Sequence, residues 1–267
     1  MSNKKIKLER LFNRGQNCVI ISMDHGYING PTDGMINMRD TIAMVSPDVD
    51  AVLLSAGILQ NVPEGFNYKG APMAVTRINW SPLFYGAWGG GKPYNAQGYS
   101  VKDAVRIGAD IILVCLTLNT GDSVLDAANV GLFGKICGEA REMDVPILGE
   151  YIPVDFEELP PDALADQVYR GCRIVAELGA DAVKSVYTNN FKEVTNACPI
   201  PILGLGGSKT SDLESLKQAE SIIAEGGKGV VYGRNVLQNK NPLGFQTALI
   251  SVVKKRVKAE EAIKSLI

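Results

Sequence analysis

Lys184 lies inside a short apolar segment, which follows a helical stretch ending near Gly179. Placing a lysine in a buried strand is costly, because loss of water disfavours a charged amine and can bring its pKa towards neutrality. A neutral amine is a nucleophile that forms a Schiff base with a carbonyl substrate. The alternative is a lysine whose stem packs while its head reaches water or a carboxylate.

Two further pairs of residues could move protons during chemistry at a Schiff base. Asp24 and His25 follow the first apolar segment, and Glu150 and Tyr151 follow the fifth. A carboxylate near the lysine can handle substrate hydroxyl protons or stabilise an iminium, although it also favours the charged amine. Neighbouring residues of a strand point in opposite directions, so only one of Glu150 and Tyr151 can face inwards. The alternatives are a cap or turn role for Asp24 and a structural role for His25.

Glycine-rich turns follow the last two apolar segments. Gly206, Gly207 and Ser208 form the first turn, and Gly233 and Arg234 form the second. Glycine permits close approach of the backbone to a phosphate, and serine and arginine add hydrogen-bond donors. The pair of turns predicts a phosphate site, although either turn could serve only to reverse the chain.

Eight apolar segments alternate with longer amphipathic ones, and most are continuous rather than alternating in polarity. That pattern is typical of parallel strands covered by helices on both faces. Eight β-then-α units predict a (β/α)8 TIM barrel of the α/β class, with a doubly wound sheet as the alternative. The predicted strands are Cys18–Met23, Ala51–Ser55, Pro72–Thr76, Ile111–Leu116, Val145–Gly149, Ala182–Val186, Ile200–Leu205 and Gly229–Tyr232.

We expect the barrel to form a single domain over residues 1–267. A long aromatic loop, Trp80–Tyr99, is interpreted as a flexible lid or a subunit contact. Because TIM barrels carry their active sites at the carboxyl ends of the strands, the candidate residues are expected to meet at one mouth. The predicted helices include Val124–Met143, Ala163–Leu178 and Asp212–Glu225, an extra N-terminal helix around Lys7–Phe12 and a C-terminal helix around Phe245–Leu266.

Composition argues against several classes of function. A net charge of -2 gives no electrostatic basis for binding nucleic acid or an anionic membrane, and no apolar run is long enough to cross a bilayer. The five cysteines are scattered, and the single histidine, His25, argues against a zinc-dependent mechanism. We therefore expect no metal and no cofactor. The cysteine pattern and the lack of a secretory signal predict a cytoplasmic protein.

Five motifs spread over almost the whole chain carry a family resemblance. They are Lys7–Arg14, Met23–Pro31, Val183–Thr188, Gly206–Thr210 and Gly233–Gln238. The chain resembles the archaeal-type class I aldolase family, which includes fructose-bisphosphate aldolases, aminodideoxyheptulosonate synthases and a thiolase of autoinducer breakdown. Its N-terminal motifs are most similar to the heptulosonate synthase branch.

This resemblance implies a barrel in which Lys184 forms the Schiff base, Asp24 gives acid/base support and the last two loops hold phosphate. It also implies a homo-oligomer, often a pentamer or a decamer. One segment departs from the family pattern. Many members carry a catalytic tyrosine directly before Pro-Arg-Gly at the end of the fifth strand, whereas this chain has Ile152 there, with Glu150 on the same face.

The related tagatose-bisphosphate aldolases use a glutamate at a similar strand end. Glu150 is therefore predicted to transfer the proton, with Tyr151 as the second choice if the strand bulges. The departure argues against ordinary fructose-bisphosphate cleavage and suggests a divergent substrate.

The leading hypothesis is a metal-independent Schiff-base aldolase or transaldolase that cleaves or forms a carbon–carbon bond in a phosphorylated keto-sugar. Lys184 attacks the ketone, Asp24 orients the substrate, and His25 joins the two glycine-rich turns in substrate binding. One alternative is thiolase-like acyl transfer on a phosphorylated diketone, which requires coenzyme A. Another is a non-catalytic barrel that binds phospho-sugars.

Overall fold

The computed structural model describes residues 2–13, 15–81 and 94–266, and these ranges contain ten strands. The strands are β1 Cys18–Ser22, β2 Ala51–Ser55, β3 Met73–Arg77, β4 Asn79–Trp80, β5 Ala96–Gln97, β6 Ile111–Leu116, β7 Ile147–Tyr151, β8 Ala182–Ser185, β9 Ile202–Leu205 and β10 Gly229–Tyr232. Eight of them close into a parallel barrel, in the ring order β1, β2, β3, β6, β7, β8, β9 and β10. The predicted TIM barrel is confirmed. The doubly wound alternative is wrong, because β10 pairs with β1 and closes the sheet.

Helices surround the barrel. They are α1 Asn3–Leu11, α2 Gly26–Asn29, α3 Met38–Ala43, α4 Ala56–Asn61, α5 Val101–Ile107, α6 Ser123–Glu142, α7 Pro161–Glu177, α8 Phe191–Ala197, α9 Asp212–Ala224, α10 Arg234–Leu237, α11 Pro242–Lys255 and α12 Ala259–Ala262. The helices predicted over Val124–Met143, Ala163–Leu178 and Asp212–Glu225 agree closely with α6, α7 and α9. Within the described ranges, no helix combines the length and the apolarity that a bilayer crossing requires.

Helices α6 and α9 begin where a side chain accepts hydrogen bonds from the first free backbone amides. Asp122 Oδ1 accepts from the amides of Val124 and Leu125 at the start of α6. Ser211 and Glu214 form a capping box at the start of α9. These local bonds fix where each helix leaves the preceding loop, and so fix the loops at the barrel mouth.

The prediction of one C-terminal helix over Phe245–Leu266 is wrong. α11 ends because Arg256 adopts a left-handed backbone with φ 57. The short helix α12 and a 3-10 turn at Ile263–Leu266 follow and pack against α9 and α11. The chain therefore folds back on the barrel instead of extending as a single rod.

The N-terminal helix begins earlier than predicted and closes one end of the barrel. The Ser2 side chain accepts a hydrogen bond from the Lys5 amide, which starts α1 at Asn3 rather than near Lys7. Leu11, at the end of α1, is buried and belongs to the same apolar cluster as the inward-facing strand residues. α1 thus covers the amino-terminal end, and the opposite end is left for the site.

Side chains along each barrel strand alternate between the interior and the helix layer. The interior cluster contains Ile20, Leu53, Val75, Leu113, Leu148, Ala182, Leu203 and Val231, whereas the cluster under the helices contains Val19, Val52, Ala74, Ile112, Ile147 and Val183. Counting two residues onward from Val75, Leu148 and Ala182 reaches Arg77, Glu150 and Lys184. The strand register therefore turns three charged side chains into the barrel at its carboxyl end.

A short hairpin of β4 and β5 lies beyond β3. The Asn79 side chain donates to the Cys115 carbonyl and accepts from the Cys115 amide, both at 2.8 Å. It thereby continues the pairing of β3 with β6 past the end of β3. Most of the loop interpreted as a lid or subunit contact, Trp80–Tyr99, lies outside the described residues.

Candidate active site

Four charged side chains meet inside the barrel near the carboxyl ends of its strands. Asp24 follows β1, Arg77 ends β3, Glu150 lies on β7 and Lys184 lies on β8. Their exposed fractions are 5%, 2%, 0% and 7%. Glu150 and Lys184 are register partners across β7 and β8, so their side chains are neighbours on the inner face.

These four residues form a continuous series of ion pairs, called here the buried charge network. Lys184 Nζ lies 2.5 Å from Glu150 Oε1, and Arg77 Nη2 donates to Glu150 Oε2 at 2.6 Å. Arg77 Nε donates to Asp24 Oδ2 at 2.5 Å, and Ser22 Oγ donates to Asp24 Oδ1 at 2.6 Å. The network thus runs from Lys184 through Glu150 and Arg77 to Asp24.

Mutual attraction keeps the carboxylates of the network ionised despite burial. Burial alone would raise the pKa of Asp24 and of Glu150, but the charges of Arg77 and then Lys184 outweigh it and hold both pKa values below their ordinary range. Burial alone would lower the pKa of Arg77, yet Glu150 and Asp24 raise that pKa above its ordinary value. Two acidic and two basic side chains therefore face one another in a nearly dry interior.

The sequence predicted that Lys184, Asp24 and Glu150 lie at the same end of the barrel, but Arg77 was not predicted to join them. The predicted third strand, Pro72–Thr76, stopped one residue too early, whereas β3 runs to Arg77. The signal was present, because Met73 and Val75 face inwards and the same alternation continues to position 77. An arginine at that position also breaks an otherwise apolar segment.

Tyr151, the second choice for proton transfer, lies on the opposite side of β7. Its ring packs in the helix layer against Gly171 of α7, where even one added carbon would overlap it. Burial raises the pKa of its hydroxyl above the ordinary value. β7 shows no bulge that turns Tyr151 inwards, and its placement removes Tyr151 from the candidate proton-transfer residues.

The two glycine-rich turns lie side by side and are tied together by Asn235, a residue of the second motif that the sequence did not single out. Asn235 Nδ2 donates to the Gly206 carbonyl at 2.9 Å and to the Ser208 carbonyl at 3.1 Å, and its Oδ1 accepts from the Thr210 amide at 2.9 Å. Gly207 adopts φ 67, a left-handed conformation that favours glycine. Arg234 begins the short helix α10, directly after Gly233.

Two contacts involve polar groups of the first turn. The Gly206 amide donates to the Val231 carbonyl at 3.1 Å, so it takes part in the strand pairing. Ser208 Oγ donates to Glu157 Oε1 at 2.9 Å, which brings a carboxylate from the β7–α7 loop beside the first turn. An anion at Ser208 would therefore replace the contact with Glu157.

His25 lies between the buried charge network and the second turn. A side-chain carbon added at Gly233 would contact the His25 ring at 2.5 Å. His25 Nδ1 is buried and has no hydrogen-bond partner among the described residues. Burial lowers the pKa of His25 to about 4, although the charge of Asp24 opposes the change. The imidazole is therefore neutral near neutral pH.

The sequence profile of DeoC/LacD family aldolases matches residues 18–239. The chain belongs to this family. An uncharacterised aldolase of Saccharolobus solfataricus is 30% identical over 100% of both chains. The 2-amino-3,7-dideoxy-D-threo-hept-6-ulosonate synthase 1 of Archaeoglobus fulgidus is 28% identical, over 99% of this chain and 96% of that protein. A 3-hydroxy-5-phosphonooxypentane-2,4-dione thiolase of Photorhabdus laumondii is 27% identical, over 96% and 84%.

One solved structure shows what a lysine does in a similar aldolase. An archaeal fructose-1,6-bisphosphate aldolase, with its catalytic lysine covalently bound to the carbinolamine intermediate, superposes with a TM-score of 0.79. It is 26% identical, and the match covers 93% of this chain and 98% of that one. The resemblance to class I aldolases is confirmed, and the chain belongs to a family of Schiff-base aldolases. Family membership favours an enzyme over a non-catalytic barrel.

The depressed pKa of His25 makes the stability of this aldolase depend on pH. Because the folded pKa, about 4, lies below the ordinary 6.5, the unfolded chain binds the proton more readily. This stabilisation is complete above pH 6.5 and is lost as the pH falls towards 4. We expect the free energy of unfolding to fall by about 1 to 3 kcal/mol more in the wild type than in His25→Gln over that range. Urea titrations of both proteins measure the difference, and parallel pH profiles would contradict the assignment.

Proposed function

We propose that this aldolase cleaves or forms a carbon–carbon bond in a phosphorylated keto-sugar, with Lys184 as the Schiff-base residue. The observation that carries the proposal is the sequestered amine of Lys184, which lies 2.5 Å from Glu150 Oε1 inside the barrel. Such an amine is screened from bulk water and has a proton acceptor beside it. Of the predicted candidates, Glu150 rather than Tyr151 shares the interior with Lys184.

Formation of the Schiff base begins with transfer of a proton from the Lys184 ammonium to Glu150 Oε1. The neutral amine then attacks the ketone carbon of the substrate to give a carbinolamine. Glu150 returns the proton to the carbinolamine hydroxyl, which leaves as water and gives the iminium. Because the positive charge moves from ammonium to iminium, Glu150 opposes one cation at the start and at the end of this sequence.

Cleavage of the carbon–carbon bond uses the iminium as an electron sink. Glu150, again a carboxylate, accepts the proton of the hydroxyl on the carbon that becomes the aldehyde. The bonding electron pair moves towards the iminium nitrogen and leaves an enamine on Lys184. Protonation of the enamine carbon and hydrolysis of the new iminium release the second product and regenerate the amine.

Asp24 has the position of a substrate-orienting group in this mechanism. Its two oxygens accept from Ser22 and Arg77, so the carboxylate is held in one place. Each oxygen retains a further lone pair for a substrate hydroxyl. We assign Asp24 to hold a substrate hydroxyl and to assist carbinolamine dehydration by stabilising the developing positive charge.

The phosphate of the substrate is assigned to the two turns. Gly207 and Ser208 supply the donors of one side, where Gly206 allows close approach while its amide pairs with the Val231 carbonyl. Gly233 and Arg234 supply the other side. Asn235 supports the assignment, because its bonds hold both turns in a fixed relation. His25 packs on Gly233 and links the phosphate turns to the buried charge network.

Acyl transfer on a phosphorylated diketone is the second candidate. The relative from Photorhabdus laumondii carries a thiolase name. In this chain β7 presents Glu150 instead of a tyrosine hydroxyl to Lys184. That reaction would depend on coenzyme A, whereas the aldolase reaction would not.

We further propose that the protein works in the cytoplasm as a homo-oligomer, with a pentamer or a decamer as the expected assembly. The side chains of Tyr169 and Ile174 on α7 support self-association, because they are exposed and line a surface groove together with Arg170, Arg173 and Ala197. We propose no contact with nucleic acid or membrane, since the net charge is -2.

Borohydride reduction tests the proposed Schiff base directly. Incubation with dihydroxyacetone phosphate and borohydride is expected to add one stable adduct, which peptide mapping by mass spectrometry locates at Lys184. Lys184→Ala is expected to form none. Lys254→Ala is the matched control, because Lys254 is also ion-paired, at 2.7 Å to Asp50, but lies among the amino-terminal ends of the strands. An adduct on another lysine, or none across a panel of phosphorylated ketoses and diketones, would overturn the proposal.

Substitutions on β7 test the choice between its two candidate proton-transfer residues. Glu150→Gln is expected to lower kcat by about 100- to 10,000-fold, since the amide cannot accept the proton. Tyr151→Phe is expected to retain kcat within a few fold, because the hydroxyl lies outside the interior. Steady-state kinetics with the substrate found by trapping measure both values. The reverse ranking would contradict the assignment.

Arg234→Ala tests the phosphate site. Loss of a charge-assisted hydrogen bond is expected to raise KM for the phosphorylated substrate by about 10- to 100-fold. The unphosphorylated analogue should be affected little, and this difference separates phosphate binding from a general defect. Arg10→Ala is the control, because Arg10 lies on α1 at the opposite end of the barrel. Equal effects on both substrates would place the phosphate elsewhere.

A further inference from the structure

The guanidinium of Arg77 joins the two carboxylates of the buried charge network. Its Nε donates to Asp24 and its Nη2 donates to Glu150 at 2.6 Å, so one planar group joins two catalytic candidates, one in the turn after β1 and one on β7. Arginine can do this because its donors are fixed in a fork, whereas a lysine offers a single charged nitrogen. Arg77 is itself buried and belongs to β3, a rigid element.

The contacts divide the oxygens of Glu150 between two cations. Oε2 accepts from Arg77, and Oε1 lies 2.5 Å from Lys184 Nζ. A carboxylate held by one oxygen cannot rotate freely, so the remaining oxygen stays beside the amine. The same guanidinium fixes Asp24, whose other oxygen accepts from Ser22.

We propose that Arg77 is a positioning residue of this aldolase, whose guanidinium keeps Glu150 Oε1 beside the amine of Lys184 and holds Asp24 in a fixed relation to both. The inference rests on the proposed function of Lys184 and Glu150. Arg77 acts through these groups and needs no contact with the substrate. Loss of this alignment displaces the proton acceptor from the reacting nitrogen, and such displacements cost about 100-fold in rate.

Removal of Arg77 also takes away the largest stabilising charge beside both carboxylates. Burial would then dominate, and the pKa values of Asp24 and Glu150 would rise. The rate requires both groups as anions, so the acid limb of the kcat/KM profile should move to higher pH. The titratable and charged groups around Arg77 and its partners are Asp24, His25, Tyr27, Cys115, Glu150, Lys184 and Arg234.

The test compares the wild type with Arg77→Lys and Arg77→Ala. We expect kcat to fall by about 100-fold in both, with a much smaller change in KM, and the acid limb of kcat/KM to shift upwards in pH. Lysine keeps one charge but cannot bridge two carboxylates. Relative to Arg77→Ala, Arg77→Lys should therefore bring the acid limb part of the way back to its wild-type pH but raise kcat little. In Arg77→Ala, added guanidinium ion at concentrations that do not unfold the protein should restore activity, whereas sodium chloride and urea should not.

Lys254→Met is the control for loss of an ion pair as such. It removes the pair with Asp50, 2.7 Å long, and should lower the melting temperature while leaving kcat and the pH profile unchanged. Should Arg77→Ala fail to fold, Arg77→Lys carries the test. An unchanged kcat and an unshifted acid limb in Arg77→Lys would overturn the inference. Absence of an adduct in wild-type trapping would instead refute the Schiff base, so the two failures are distinguishable.

Discussion

An ion pair between Lys184 Nζ and Glu150 Oε1, 2.5 Å long, lies in the barrel interior, and its burial requires further charged partners around it. Removing charges from water costs several kcal/mol for each ion, and only close pairing and hydrogen bonding offset that cost. Glu150 is fully buried, so its charge needs a second partner, which is Arg77. Arg77 in turn needs Asp24, and the result is a connected network in place of one isolated amine.

The barrel supplies this network with its geometry. Register pairing places Glu150 beside Lys184, and strand alternation turns both inwards along with Arg77. Leu11 of α1 fills the opposite end, whereas the charged side chains lie at the carboxyl end. The turns after β9 and β10 lie at the same end, and His25 connects them to the network through its contact with Gly233. Under the proposed function, one substrate can therefore place its phosphate at the turns and its carbonyl at Lys184.

Much of this arrangement follows from residue order alone. The segments ending at Lys184, Asp24 and Glu150 predict a common mouth, and the period of two separates Glu150 from Tyr151. Arg77 was missed because the apolar pattern stops at Thr76, although Met73 and Val75 already define its direction. The contact of Ser208 with Glu157 depends on loop conformations, which no periodicity encodes. The break at Arg256 likewise carries no glycine or proline signal.

The most direct measurement of the central claim is a crystal structure of the protein reduced with borohydride in the presence of dihydroxyacetone phosphate. The account predicts continuous electron density from Lys184 Nζ to the ligand, Glu150 still held by Arg77 within hydrogen-bond distance of the reacting centre, and the phosphate between the turns at Gly206 and Gly233. A free Lys184 with the ligand attached elsewhere, or Glu150 turned away from the adduct, would contradict it.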